Sequence, residues 1–168
     1  MEGRPPTLDE LLAGATRRVF HLEMRDHYEG SPAYATWLAG EPIDYAAAYG
    51  SWHALVRPVV ARGVDFRRAR VVSEPVSRYV RFEHHVTPHA NVAAGERVRW
   101  LPRGRASKVR LPGNDFWLVD DVVLFSLFSG DGARVGTVVG DAEALSLTVE
   151  SFEAVWALGI DHAEYHPD

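Results

Sequence analysis

The chain has 168 residues, 46% of them apolar and 24% charged, a globular composition long enough for one domain. It contains no cysteine, which excludes a disulfide scaffold, thiolate metal ligation and a cysteine nucleophile. The net charge of −5 hides an asymmetry: residues 62–110 carry twelve basic side chains against Asp65, Glu74, Glu83 and Glu96, a net of +8, while the remainder carries −13.

Pro5-Pro6 followed by Thr7-Leu8-Asp9-Glu10 is a helix start, with Thr7 and Glu10 at capping-box spacing and Gly14 near the end. Residues 18–27 alternate as a strand does, Phe20, Leu22 and Met24 on one face and His21, Glu23, Arg25 and His27 on the other. A loop with Gly30, Pro32, Gly40 and Pro42 follows, holding a helical turn at 33–39. Asp44 opens a helix whose apolar positions run to Gly63, with Pro58 predicted to kink or bound it. Residues 64–72 read as a strand, then Ser73-Glu74-Pro75 starts a helix to about Val86, and 96–101 read as another strand. Strand, helix and strand make a βαβ unit, whose strands run parallel. A strand pair at 115–119 and 122–128 turns at Asp120-Asp121. Residues 134–139 form a further strand, and Asp141 caps a last helix over 142–159. The expected fold is a single α/β (α+β) domain over 1–168 with a mixed sheet, a βαβ crossover and flanking helices. It comprises a helix–strand–helix part at 7–63 and a βαβ-plus-hairpin part at 64–160.

No apolar run approaches the roughly 18 residues of a membrane span. The N-terminus lacks the basic-then-apolar order of a signal peptide, so a cytoplasmic protein is expected, without membrane association. Seventeen of the eighteen basic residues are arginine, the excess a GC-rich genome produces; a basic face for nucleic acid is the alternative. Because the overall charge is negative, direct nucleic-acid binding is not expected.

Glu83-His84-His85 and His89 resemble a metal cluster by composition, but Pro88 disfavours a continuing helix between His85 and His89 and no third ligand converges. His162 and His166 lie in a polar tail. No metal and no cofactor is assigned. Phosphate-cradling glycine motifs and the nucleophile elbow are absent. The strand face of His21, Glu23, Arg25 and His27 is the main candidate. Exposed, it is a solvated surface; covered, a Glu–Arg pair with flanking imidazoles has the makings of a ligand or acid–base site. Asp26 and Tyr28 extend that row, and Trp37 stands in the loop beside it. The candidate ligand- or partner-binding residues are therefore His21, Glu23, Arg25, Asp26, Tyr28 and Trp37; catalytic residues stay unassigned.

The phrases LDELL, HLEMRDHY, RRARVVSEPVSRYVRFEH, NVAAGERVRWLPR, LPGNDFWLVDD, FSGDG and SFEAVWALGIDHAEY resemble an uncharacterised actinomycete family over nearly the whole chain. Members of that family are commonly encoded beside helix-turn-helix regulators, so the resemblance implies such a regulator as partner. By order of elements, residues 64–160 resemble one lobe of the phospholipase-D-like fold, with Phe152 and Trp156 in the closing helix. Active members of that fold carry His-x-Lys-x4-Asp before the turn, where the histidine attacks phosphorus. Counting back from Asp121 places Asn114 and Phe116 at the His and Lys positions; from Asp120 they are Gly113 and Asp115. Neither register supplies nucleophile and cation, so this resemblance implies a binding lobe without phosphodiesterase chemistry. The function expected is a non-catalytic regulatory or accessory protein working with a helix-turn-helix transcription factor, with small-molecule sensing as its attached role. The alternative is a small enzyme of specialised metabolism with an acid–base and anion-binding pocket around Glu23 and Arg25.

Overall fold

The computed structural model describes residues 4–168. In chain order it contains α1 (Leu8–Gly14), β1 (Arg18–Glu23), α2 (Pro32–Leu38), α3 (Tyr45–Ala61), β2 (Asp65–Val72), α4 (Arg78–Ala90), β3 (Arg97–Pro102), β4 (Phe116–Val119), β5 (Val122–Phe128), β6 (Arg134–Val139), α5 (Ala142–Leu158) and β7 (Ile160–Asp161). Short 3-10 turns follow α4 and β3. The seven strands form one sheet in the order β6-β5-β4-β1-β2-β3-β7. β1, β2 and β3 are parallel, and every other neighbouring pair is antiparallel. β2–α4–β3 is the expected crossover with parallel strands. β1 lies at the centre of the sheet, so residues 7–63 and 64–160 share one sheet.

Each central strand alternates between two covered faces. Phe20, Leu22, Ala69, Val71, Leu101, Phe116 and Leu118 meet Phe152, Val155 and Trp156 of α5, the Phe20 and Phe152 rings stacking at 4.4 Å. On the opposite face Val19, Phe66 and Val119 pack against Leu12 of α1 and Val56 and Val59 of α3. Tyr79, Phe82 and Val86 of α4 gather Tyr28, Tyr34 and Trp37 into a separate aromatic cluster. Between these two apolar regions the same face is charged.

Several local expectations change in the structure. The strand predicted over 18–27 stops at Glu23, because the chain turns where Asp26 captures the backbone N–H and hydroxyl of Ser73 at 2.8 and 2.6 Å. Ser73 is therefore engaged elsewhere, and α4 begins four residues later on Ser77, whose hydroxyl accepts from the Val80 N–H at 3.1 Å. Pro88 does not end α4. It sits in the last turn, where a missing N–H costs one hydrogen bond, and Asn91 N–H still reaches the Thr87 carbonyl at 2.9 Å. Likewise α3 runs through Pro58 to Ala61. The polar tail is fixed: Ile160–Asp161 pairs with Arg99 and Trp100, and buried Tyr165 stacks on the Trp100 ring at 5.4 Å.

Candidate functional site

The charged region is built by strand register. Parallel pairing sets His21 beside Arg68 and Glu23 beside Arg70. Neighbouring strands stand about 4.8 Å apart, whereas residues two apart on one strand are separated by nearly 7 Å, so cross-strand partners have first claim on Glu23. Its carboxylate accepts from Arg70 Nε at 2.6 Å and Arg68 Nη1 at 2.9 Å. Arg68 also donates from Nε to Glu96 at 2.7 Å and from Nη2 at 3.4 Å. Arg70 gives its remaining nitrogens to Thr87 Oγ1 at 2.6 Å and Asn91 Oδ1 at 3.4 Å. Glu96 is completed by Asn91 Nδ2 at 2.9 Å and Trp52 Nε1 at 2.6 Å. Both guanidiniums are buried, with side chains 7% exposed, and lie over aromatic rings: Arg68 over Trp52 and Trp117, Arg70 over Trp100.

His21 joins this network from the side. Its Nδ1 donates to the Phe116 carbonyl at 2.8 Å, its ring stacks on Trp117 at 3.7 Å, and Nε2 stands 3.3 Å from Glu23 Oε1. Burial by itself raises a carboxyl pKa, but the Arg70 and Arg68 charges outweigh it at Glu23 and hold it well below the usual range. Glu96 is lowered for the same reason, burial being offset by Arg68 and by the hydrogen bonds it accepts from Arg68, Asn91 and Trp52.

Glu83 stands apart. It projects from the buried stripe of α4 with its side chain 9% exposed, and Arg70 Nε is its ion-pair contact at 4.0 Å. Among the described residues its carboxyl accepts no hydrogen bond. Burial pushes it up to about 8, helped by Glu23 and Asp115 and opposed by Arg70 and Arg68. Glu23 and Glu83 both face a cleft of about 340 Å³ between the sheet, α3 and α4, walled by Tyr49, Trp52, Tyr79 and Phe82. A second hollow of about 720 Å³ lies toward β4 and β5 and shares His21, Glu23 and Trp117 with the first. Asp115 lines it, accepting from the Met24 N–H at 2.9 Å and from the Tyr28 hydroxyl; burial raises its carboxyl, and Tyr28 opposes.

Residues 6–167 match a sequence family described as a domain of unknown function, DUF6879. The chain belongs to that family. Among solved structures this DUF6879 domain is similar over 90% of its length to TrmBL2, an archaeal chromatin protein described as showing a novel mode of DNA binding. The identity is 12% and the TM-score 0.50, and the domain spans 47% of that chain, about half. Nuc, a phospholipase D family member from Salmonella typhimurium, is similar over 90% of this chain and 87% of its own, with 11% identity and a TM-score of 0.48. At 12% identity the likeness to TrmBL2 is one of fold alone. Among curated proteins none matches.

Of the six residues singled out in the sequence, His21 and Glu23 line both hollows of the DUF6879 domain and Tyr28 lines the second. The other three serve elsewhere. Arg25 is not the counter-ion of Glu23: past the end of β1 it donates to the Ser129 carbonyl at 3.3 Å and lies over Phe128, and its buried Nε has no partner. Asp26 is a clamp, holding Ser73 by its carboxylate and the Ser77 hydroxyl by its carbonyl. Trp37 packs on Tyr34 and Phe82. Phe116, the Lys position of one phospholipase-D register, is fully buried against α5. His84 binds the Tyr165 carbonyl at 2.8 Å, and His89 stacks on Tyr45. Among the described residues no group of three His, Asp or Glu has the arrangement of a metal site. Sequence reasoning missed Arg68, Arg70, Glu83 and Glu96. Three of them carried a signal: Arg68 and Arg70 at period two on a strand covered on both faces, and the Glu83 carboxyl among Tyr79, Val80 and Val86 on the inward side of α4.

Proposed function

We propose that this DUF6879 domain is a cytoplasmic regulatory module that binds a small molecule in the cleft over β1 and β2 and acts with a helix-turn-helix partner in an actinomycete cell. One observation carries the binding reading. Glu83 accepts no hydrogen bond from the described residues, and its carboxyl opens onto an aromatic cleft beside a network of paired charges. An occupant supplies the missing partner. Arg68 and Arg70 are both charge-paired with carboxylates of the fold, which argues against an anion-binding enzyme site here. The fold shared with a chromatin protein described as DNA-binding, of which this chain spans half, supports a role beside DNA-binding elements.

The test is a thermal-shift screen of a metabolite collection on the purified chain, repeated on Tyr49→Ala, which strips one wall of the cleft. Compounds that raise the wild-type Tm and not that of the variant are expected. A compound that is chemically consumed, with turnover lost in Glu83→Gln, would move the protein to the enzyme class. A helix-turn-helix partner is expected to co-purify with the wild-type chain, and its release or retention on adding a hit compound reports the regulatory link.

A further inference from the structure

The chemistry of the cleft narrows its occupant, taking as its basis the reading that the cleft binds a small molecule. Four carboxyls (Glu23, Glu83, Glu96 and Asp115) and two guanidiniums are buried on this face of the sheet. Glu23 and Glu96 neutralise Arg68 and Arg70, and Arg70 also donates to Thr87 and Asn91. An entering anion would find guanidinium charge already neutralised and would approach two further carboxyls, Glu83 and Asp115. An entering cation finds the opposite. Glu83 offers an acceptor without a hydrogen bond at the cleft wall, its contact with Arg70 being a long 4.0 Å to a nitrogen already committed to Glu23. Tyr49, Trp52, Tyr79 and Phe82 line the same space, and aromatic rings beside a carboxyl attract organic cations by both face electrostatics and apolar contact. The volume of about 340 Å³ is at the small end of small-molecule sites.

We infer that the cleft binds a small protonated amine with an apolar body, its ammonium hydrogen-bonded to Glu83 and its body against the aromatic wall.

Such a ligand must meet an ionised Glu83, and this sets the pH dependence. Facing Glu83 are Arg70 and Arg68 from β2, Glu23 from β1, Asp115 from the segment before β4, Tyr79 from its own helix and Tyr49 from α3. Burial, with Glu23 and Asp115, raises the carboxyl to about 8 against the pull of the two arginines. Below that pH, binding a cation expels a proton. Affinity therefore tightens by up to about tenfold per pH unit as pH rises toward 8, then levels off.

The experiment uses three near-isosteric probes, phenethylammonium, 2-phenylethanol and phenylacetate, titrated into the full chain with tryptophan fluorescence and calorimetry in two buffers of different ionisation enthalpy. The ammonium is expected to bind at least about tenfold tighter than the alcohol, with proton release near pH 7, and phenylacetate weakest of all. Glu83→Gln should bring the ammonium down to the level of the alcohol and remove the pH slope, while melting no lower than wild type. An alcohol or phenylacetate that binds as tightly as the ammonium would overturn the cation assignment and leave small-molecule binding standing. Absence of ammonium saturation up to about 10 mM would also overturn it, and the metabolite screen then decides separately whether the cleft binds anything.

Discussion

Glu83 shows how one side chain records a conflict between stability and use. The unfolded chain ionises it near the ordinary value of 4.5, whereas the folded chain holds its proton to about 8. A raised carboxyl contributes no penalty while both states are protonated, and loses stability as pH climbs from 4.5 through 8, because only the unfolded state then releases its proton freely. Glu83→Gln keeps the shape and removes the titration. Thermal melts of the variant and wild type should coincide near pH 5 and separate by about 1–3 kcal/mol in favour of the variant near pH 8.5, roughly 3–10 °C. A variant that melts lower than wild type at high pH would mean the carboxylate is stabilising. Glu23 has the opposite character, since its pairing with Arg70 and Arg68 makes the charged form the favoured one.

At the scale of elements, polar groups help to tie two junctions. Asp120, in the β4–β5 turn at φ +50°, accepts from the backbone N–H groups of Thr16, Arg17 and Arg18 at 2.8–3.1 Å, so one carboxylate ties the hairpin to the start of β1. Asp120→Ala leaves those donors to water and puts a Cβ without a polar arm at positive φ. The cost should be about 1–3 kcal/mol, read by urea unfolding, and a loss under 0.5 kcal/mol would show the turn to be independent of β1. The C-terminal segment is held partly through an acceptor: Trp100 Nε1 donates to His162 Nδ1 at 3.1 Å. Burial, with His84 and Arg70 nearby, lowers His162 to about 4. Its unfolded value is near 6.5, so the unfolded state takes up a proton first as pH falls. Stability is full above 6.5 and declines toward 4. Tryptophan fluorescence should report loosening of this segment between about pH 6.5 and 4. His162→Asn, which retains an acceptor, should flatten that part of the curve.

For the whole molecule, charge is organised inward. Of the twelve basic residues between 62 and 110, six meet carboxylates within the fold: Arg67, Arg68, Arg70, Arg97, Arg99 and Arg103. The +8 of that segment already counts Asp65 and Glu96; Glu23, Asp26 and Asp161, from outside it, offset three charges more. The isolated chain should bind duplex DNA no tighter than about micromolar near physiological salt, with a shallow salt dependence in a fluorescence-anisotropy titration. Nanomolar, salt-steep binding would show that the remaining arginines form a continuous basic face. Among the described residues no helix is long and apolar enough to cross a membrane.

Local pattern determined most of the elements. The Thr7–Glu10 capping box, Asp44 and Asp141 as caps, the β2–α4–β3 crossover and the Asp120-Asp121 turn are all legible because each depends on residues a few positions apart. The same locality explains the errors: alternation over 18–27 carried a strand past Glu23, and a serine-proline pair placed the start of α4 at Ser73, because neither pattern contains Asp26's distant hold on Ser73. His21 and Glu23 could be singled out as a polar strand face, but their partners could not. Arg25 is nearest in sequence and Arg70 is nearest in space, and only the register of β1 against β2 decides between them. Glu83 depends on still more: its carboxyl comes to face the cleft without a hydrogen bond from the described residues when α4 folds over arginines already paired with Glu23 and Glu96. Propensity and capping are short-range energies that a sequence displays directly, whereas burial and pairing across the sheet exist only once the chain has closed on itself.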